Sequence, residues 1–121
     1  MSCEISQTDL CWMRGDTQTL VITYQNSDGE VIDITGYSAK SQLRAKAGDY
    51  ESPPLAEITE ADGIVVDGPA GKLTLTFDDA ITGVALDGLK KVVWDVEITS
   101  PAGVVTTLAI GSITLVNDVT R

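Results

Sequence analysis

Strict two-residue alternation recurs in four stretches of the chain, and that period commits each of them to an extended strand with one buried face. In Gln18–Tyr24, Leu20, Ile22 and Tyr24 share one face and Thr19, Val21 and Thr23 the other. In Tyr37–Lys46, the small or apolar Tyr37, Ala39, Ser41, Leu43 and Ala45 oppose the polar Ser38, Lys40, Gln42, Arg44 and Lys46. Leu73, Leu75 and Phe77 alternate with Lys72, Thr74 and Thr76, and Val92, Trp94, Val96 and Ile98 with residues such as Lys91, Asp95, Glu97 and Thr99. The last of these predicts a central strand with Trp94 as a core anchor.

The joints carry turn chemistry. Asn26-Ser27-Asp28-Gly29 reverses the chain into a short strand over Glu30-Val31-Ile32, and Asp67-Gly68-Pro69-Ala70-Gly71 closes a second hairpin into Lys72–Phe77. Ser100-Pro101-Ala102-Gly103 fits a type I turn, with proline second and glycine fourth. Leu55–Thr59 and Gly63–Asp67 are short strands, and Pro53-Pro54 marks an exposed connector because it removes two backbone donors. Asp78 is placed to cap one or two helical turns, with Ile81, Val84 and Ala85 at helical spacing. Near the end, apolar Leu108 and Ile110 sit at even positions but Ile113 and Leu115 at odd ones, which predicts a bulge or bend at Gly111. About seven strands then fit an all-β, two-sheet antiparallel β-sandwich, immunoglobulin-like, with one short helix.

The 121 residues suffice for one such core. Aromatic residues make up only 5%, so Val, Ile, Leu and Ala must fill it, and 14 Thr against 5 Lys favour strand on the solvent faces. A net charge of −10 sets up a field that opposes nucleic acid and anionic lipid. The apolar runs, such as Ile64-Val65-Val66, fall far short of the ~18 to 20 residues a bilayer needs. The start, Met1-Ser2-Cys3-Glu4-Ile5-Ser6-Gln7-Thr8-Asp9, has neither a basic head nor an apolar core, so synthesis without export is expected.

No histidine is present, which removes Ser-His-Asp and Cys-His catalysis and every His-bearing zinc site. Asp78-Asp79 are the nearest approach to a carboxylate pair, and their simpler role is capping. No catalytic, cofactor or metal residue is therefore expected. Asn26-Ser27-Asp28-Gly29-Glu30 resembles a calcium loop only superficially, since an EF-hand needs an oxygen ligand where Tyr24 stands. Cys3 and Cys11 are too few for a disulfide framework; free thiols are the default reading, with a Cys3–Cys11 bridge across a short loop as the alternative. Arg14-Gly15-Asp16 spells a tripeptide of integrin ligands, but before Thr17 and a strand it reads as a sharp structural step.

Taken together, Arg14-Gly15-Asp16-Thr17, the alternation to Tyr24, Asp33–Arg44, Val92–Ile98 and the closing Gly111-Ser112-Ile113-Thr114-Leu115 resemble the small β-sandwich proteins of tailed-phage structural modules. The likeness is to the N-terminal domain of baseplate upper proteins and to tail-fibre-associated proteins, and it covers roughly Met13 to the C-terminus. It implies a non-enzymatic virion component, a connector in the tail tip, baseplate or fibre attachment region. Its partners would be itself and other virion proteins, in a homo-oligomer of threefold or sixfold organisation. A capsid decoration protein and a carbohydrate-binding sandwich are the rivals; the latter needs exposed aromatics, for which Trp12, Tyr37 and Tyr50 are the candidates. Chains of this kind start near the Arg-Gly-Asp step, so residues 1–12 stand apart as an arm before a sandwich domain over 13–121. Leu10, Trp12 and Met13 are its candidate interface residues: Trp12 either folds back on the sandwich or docks on a neighbour, and strand addition to a neighbour's sheet edge is the expected assembly route.

Overall fold

The computed structural model describes residues 6–7, 9–46, 48, 51–85 and 89–116. Their strands are β1 Ser6–Gln7, β2 Leu10–Met13, β3 Gln18–Thr23, β4 Ser38–Arg44, β5 Ala56–Thr59, β6 Ile64–Asp67, β7 Lys72–Phe77, β8 Lys91–Thr99 and β9 Val105–Val116. The fold is all-β, in two sheets. The larger runs β1-β9-β8-β4-β5, with β2 also on β9; the smaller runs β3-β7-β6.

Each alternating stretch delivers one face to a shared core. From the large sheet come Trp12, Ala39, Leu43, Ile58, Val92, Trp94, Val96, Ile98, Ala109, Ile113 and Leu115; from the small sheet come Ile64, Leu73, Leu75 and Phe77. Strand β8 lies between β9 and β4 and buries Val92, Trp94, Val96 and Ile98, each worth about 1.5 to 3 kcal/mol or more of transfer free energy. Trp94 stands opposite Gly111, whose missing side chain leaves room beside the indole. Ile34, wholly buried in the connector between the sheets, adds to the same core.

The expected bulge is displaced. Gly111 pairs with Trp94 in regular register, and the shift falls where Val96 faces Ala109 while Glu97 faces Thr107, so the extra residue is Leu108. Ala109, Ile113 and Leu115 then point inward and Ile110 outward, 41% exposed. Reading Ile110 as a core residue put the parity change three positions too late.

Two further expectations are adjusted. Glu30–Ile32 forms only an isolated bridge, Gln25 to Val31, beside a turn in which the Asn26 side-chain oxygen accepts from the Asp28 and Glu30 amides at 2.9 and 3.0 Å. After β7, Asp78 Oδ1 does accept the Ile81 amide at 3.0 Å, but the turn it caps, Ala80–Ala85, is a single π-helical turn. The type I turn at Ser100 closes as expected, with Gly103 N–H donating to Ser100 O at 2.9 Å. Gly71 ends the β6–β7 hairpin at φ +62°, with the Ile32 carbonyl oxygen 2.5 Å from where a Cβ would stand, so both backbone and space demand glycine there.

The N-terminal segment belongs to the large sheet. Strands β1 and β2 run parallel to β9 in one continuous register, Ser6 opposite Ala109 and Leu10 opposite Ile113. At the break between them the Asp9 carboxylate takes over, accepting from the Ser112 amide and hydroxyl at 3.1 Å.

Candidate functional site

The N-terminal strand β2 is added to the chain's own β9. Because residues alternate, Leu10 and Trp12 face the core opposite Ile113 and Leu115, while Met13 faces outward opposite Val116. Trp12 is 5% exposed, Leu10 partly buried and Met13 41% exposed. Of the three candidate interface residues only Met13 is offered to a partner, beside an equally exposed Val116. The sandwich accordingly includes residues before Met13.

The next step of the chain is structural. Arg14 is 6% exposed; its Nη2 donates to the Leu89 carbonyl at 2.5 Å and its amide to the Val116 carbonyl at 2.8 Å. Asp16 contributes through its main chain, its amide donating to Met13 O at 3.2 Å and its carbonyl accepting from Thr82 Oγ1 at 2.6 Å. A buried Arg14 has no reach for an adhesion receptor. Cys11 is exposed, and Cys3 lies outside the described residues, as does Tyr50.

A shallow pocket of about 130 Å³ lies on the outer face of the large sheet, lined by Gln42, Arg44, Gly48, Val93, Asp95 and Ile110, with Trp94 at its base. Three adjacent strands supply it, since Gln42 on β4 faces Asp95 on β8, which faces Ile110 on β9. Gln42 is held by its neighbours: its Nε2 donates to Glu57 Oε2 and its Oε1 accepts from Arg44 Nη2 at 3.1 Å. Arg44 Nη1 also donates to the Ser52 carbonyl at 2.8 Å, tying the following loop to the sheet. Burial pushes the Asp95 carboxyl above the usual range and the negative charge of Glu97 adds to it, against a hydrogen bond from the Gln42 main chain and the charges of Arg44 and Lys40.

A second, more open pocket of about 290 Å³ sits further along the same face, around Ser38, Lys40, Thr59, Glu60, Glu97 and Thr99. There Lys40 Nζ and Glu97 Oε1 form an ion pair at 3.8 Å, and Glu60 Oε2 accepts the Ala39 amide at 2.9 Å. Among the described residues no three His, Cys, Asp or Glu side chains gather as a metal site requires. These two pockets offer a guanidinium, carboxylates and amide groups, a set suited to holding polar surface groups of a partner.

The alternation had placed Gln42, Arg44, Asp95 and Glu97 on solvent faces. That they adjoin one another depends on β4 pairing with β8, which nothing local encodes. The sequence matches no protein-family model and no curated protein.

Proposed function

We propose that this chain is a non-enzymatic structural subunit of a tailed-phage virion, a connector in the tail tip, baseplate or fibre attachment region, assembled through its strand faces and edges. The observation that carries the interface-based part is the distribution of exposed apolar residues. Met13, Val21, Val65, Ile110 and Val116 stand on outward strand faces, and the pockets of the large sheet are shallow and open. Large exposed aliphatic side chains on sheet faces suit contact with protein surfaces. The assignment to a phage particle rests on the likeness of Arg14–Thr17, Val92–Ile98 and Gly111–Leu115 to such proteins.

The finer fold in this proposal is immunoglobulin-like. In its support, the N-terminal strands β1 and β2 run parallel to β9, in a sheet that continues β9-β8-β4-β5 and packs on β3-β7-β6, close to the variable-type arrangement of a sandwich. Against a carbohydrate-binding role stands the burial of Trp12, which takes the one tryptophan among the candidate rings out of reach of a sugar, while Tyr37 is partly buried against the core.

Cryo-electron microscopy of purified virions is the test. Density for the chain at the tail tip, baseplate or fibre attachment supports the proposal; density on the head makes it a decoration protein; absence from every particle removes the virion role.

A further inference from the structure

Among the described residues the sheet edges are unequal. Strand β5 is four residues long, follows Pro53-Pro54 and carries Glu57; β6 is four residues long and is closed off where the Gly68 carbonyl accepts from Ile34 N–H; and the edge on β9 is split into β1 and β2, two and four residues long, with the charged Asp9 at the break. These are the devices by which proteins blunt an edge. Strand β3, Gln18–Thr23, has none of them: it is six residues long with no proline and no charge. Residues 17–27 contain no Asp, Glu, Lys or Arg, in a chain whose net charge is −10.

The pairing fixes what this edge presents. Tyr24 N–H donates to the Gly71 carbonyl and Tyr24 O accepts from Ile32 N–H, so the even-numbered residues of this stretch turn their main-chain groups toward β7 and its hairpin. By alternation, the amides and carbonyls of Thr19, Val21 and Thr23 point away from the sheet. No main-chain or side-chain partner meets them among the described residues. The core side of the strand is also incompletely covered. Leu20 and Ile22 remain partly exposed, whereas Leu73 and Leu75, opposite them on β7, are wholly buried.

We infer that β3 pairs with β3 of a second copy of this chain, antiparallel about a two-fold axis at Val21. In that register Val21 meets its own counterpart and Thr19 meets Thr23 of the second copy. Each of the three pairs uses outward-facing groups on both strands and exchanges two hydrogen bonds. The match of the edge with itself is what selects a second copy: the open groups are spaced symmetrically about Val21, the cross-strand pairs are Val–Val and Thr–Thr, and no like charges oppose one another. Leu20 and Ile22 of both copies would gain cover beneath a continuous sheet β6-β7-β3-β3-β7-β6. An isologous contact of this kind makes dimers, and a threefold or sixfold particle would need a second, different contact. The inference stands whether or not the chain belongs to a virion.

Sedimentation equilibrium across concentration, on the whole chain, tests it. The wild type is expected to rise from the 12.8 kDa monomer toward twice that mass by about 0.5 mM, a concentration that reads out the weak affinity of a small interface. Added salt should strengthen the dimer by screening two bodies of charge −10. Val21→Pro removes an outward N–H that the fold does not use, and Val21→Lys sets like charges face to face. Both should keep the monomer's circular dichroism and weaken association at least about tenfold. Amide exchange at Thr19, Val21 and Thr23 should slow as concentration rises. A wild type monomeric throughout, or a folded Val21→Lys that dimerises as well as the wild type, overturns the inference.

Discussion

Trp12 and Phe77 meet with ring centroids 4.9 Å apart and planes tilted at 45°, one ring from the N-terminal strand of the large sheet and the other from the middle strand of the small one. The contact joins the two sheets, and Trp12 is 5% and Phe77 0% exposed. Trp12→Ala is therefore expected to cost ~3 to 5 kcal/mol in denaturant titration of the monomer. A cost below about 1 kcal/mol would mean that the indole does not belong to its own core.

Trp94→Ala carries the same expectation, ~3 to 5 kcal/mol, because its flanking inward residues Val92 and Val96 are wholly buried and cannot collapse into the space without strain. The midpoint of urea unfolding measures it. Gly111 offers no side chain to refill the cavity.

Arg14→Leu keeps bulk but strips the Leu89 carbonyl of a charged donor at 2.5 Å. A loss of about 1.5 to 3 kcal/mol is expected, read by thermal or chemical unfolding. Adhesion of integrin-bearing cells to the wild type should equal adhesion to this variant, since the guanidinium is already withdrawn from solvent.

Asp95 and Asp33 shift in opposite senses. Asp95 has its folded-state pKa raised by burial and by Glu97, so its contribution is full at low pH and is lost as pH climbs through the raised value. Asp95→Asn should raise the melting temperature at pH 7 and leave it nearly unchanged at pH 3. Asp33 is lowered because its carboxylate accepts the Thr35 hydroxyl at 2.5 Å and the Thr35 amide at 2.8 Å. Its contribution is present above the ordinary carboxylate value and is lost as pH falls through the lowered one, so Asp33→Asn should destabilise at pH 7 more than at pH 2.

Gly71→Ala forces a left-handed backbone on an L residue and drives a methyl group toward the Ile32 carbonyl. A loss of at least about 1 to 2 kcal/mol is expected from the backbone alone, with the contact adding to it. Gly29→Ala, at φ +82° with open space around it, should show only the backbone part.

Strands β4, β7 and β8 were legible in the sequence because one face of each is uniformly apolar or small and, Val93 of β8 apart, the other is polar. Strand β9 was legible as a strand, yet its parity was not: Leu108 and Ile110 are both apolar, and only the pairing with Val96 and Glu97 reveals that one is the bulge and the other outward-facing. The N-terminal segment was harder still, since Leu10-Cys11-Trp12-Met13 has apolar residues on both faces and its partner lies near the far end of the chain. The pocket around Asp95 was invisible for a related reason: Gln42, Asp95 and Ile110 adjoin only after three distant strands have paired.

The pairing of Trp12 with Leu115 has a meaning in time as well as in space. A ribosome delivers β2 well before β9, so the earlier strand must wait through about a hundred residues of synthesis before its acceptor exists. Until then the pocket that Trp12 fills has no floor on the β9 side, while the β6–β7 hairpin and the β3–β7 ladder already have their partners. Closure of the sandwich is thus tied to the emergence of β9, and a nascent chain halted before β9 would carry Trp12 exposed, as a ready substrate for chaperones and proteases.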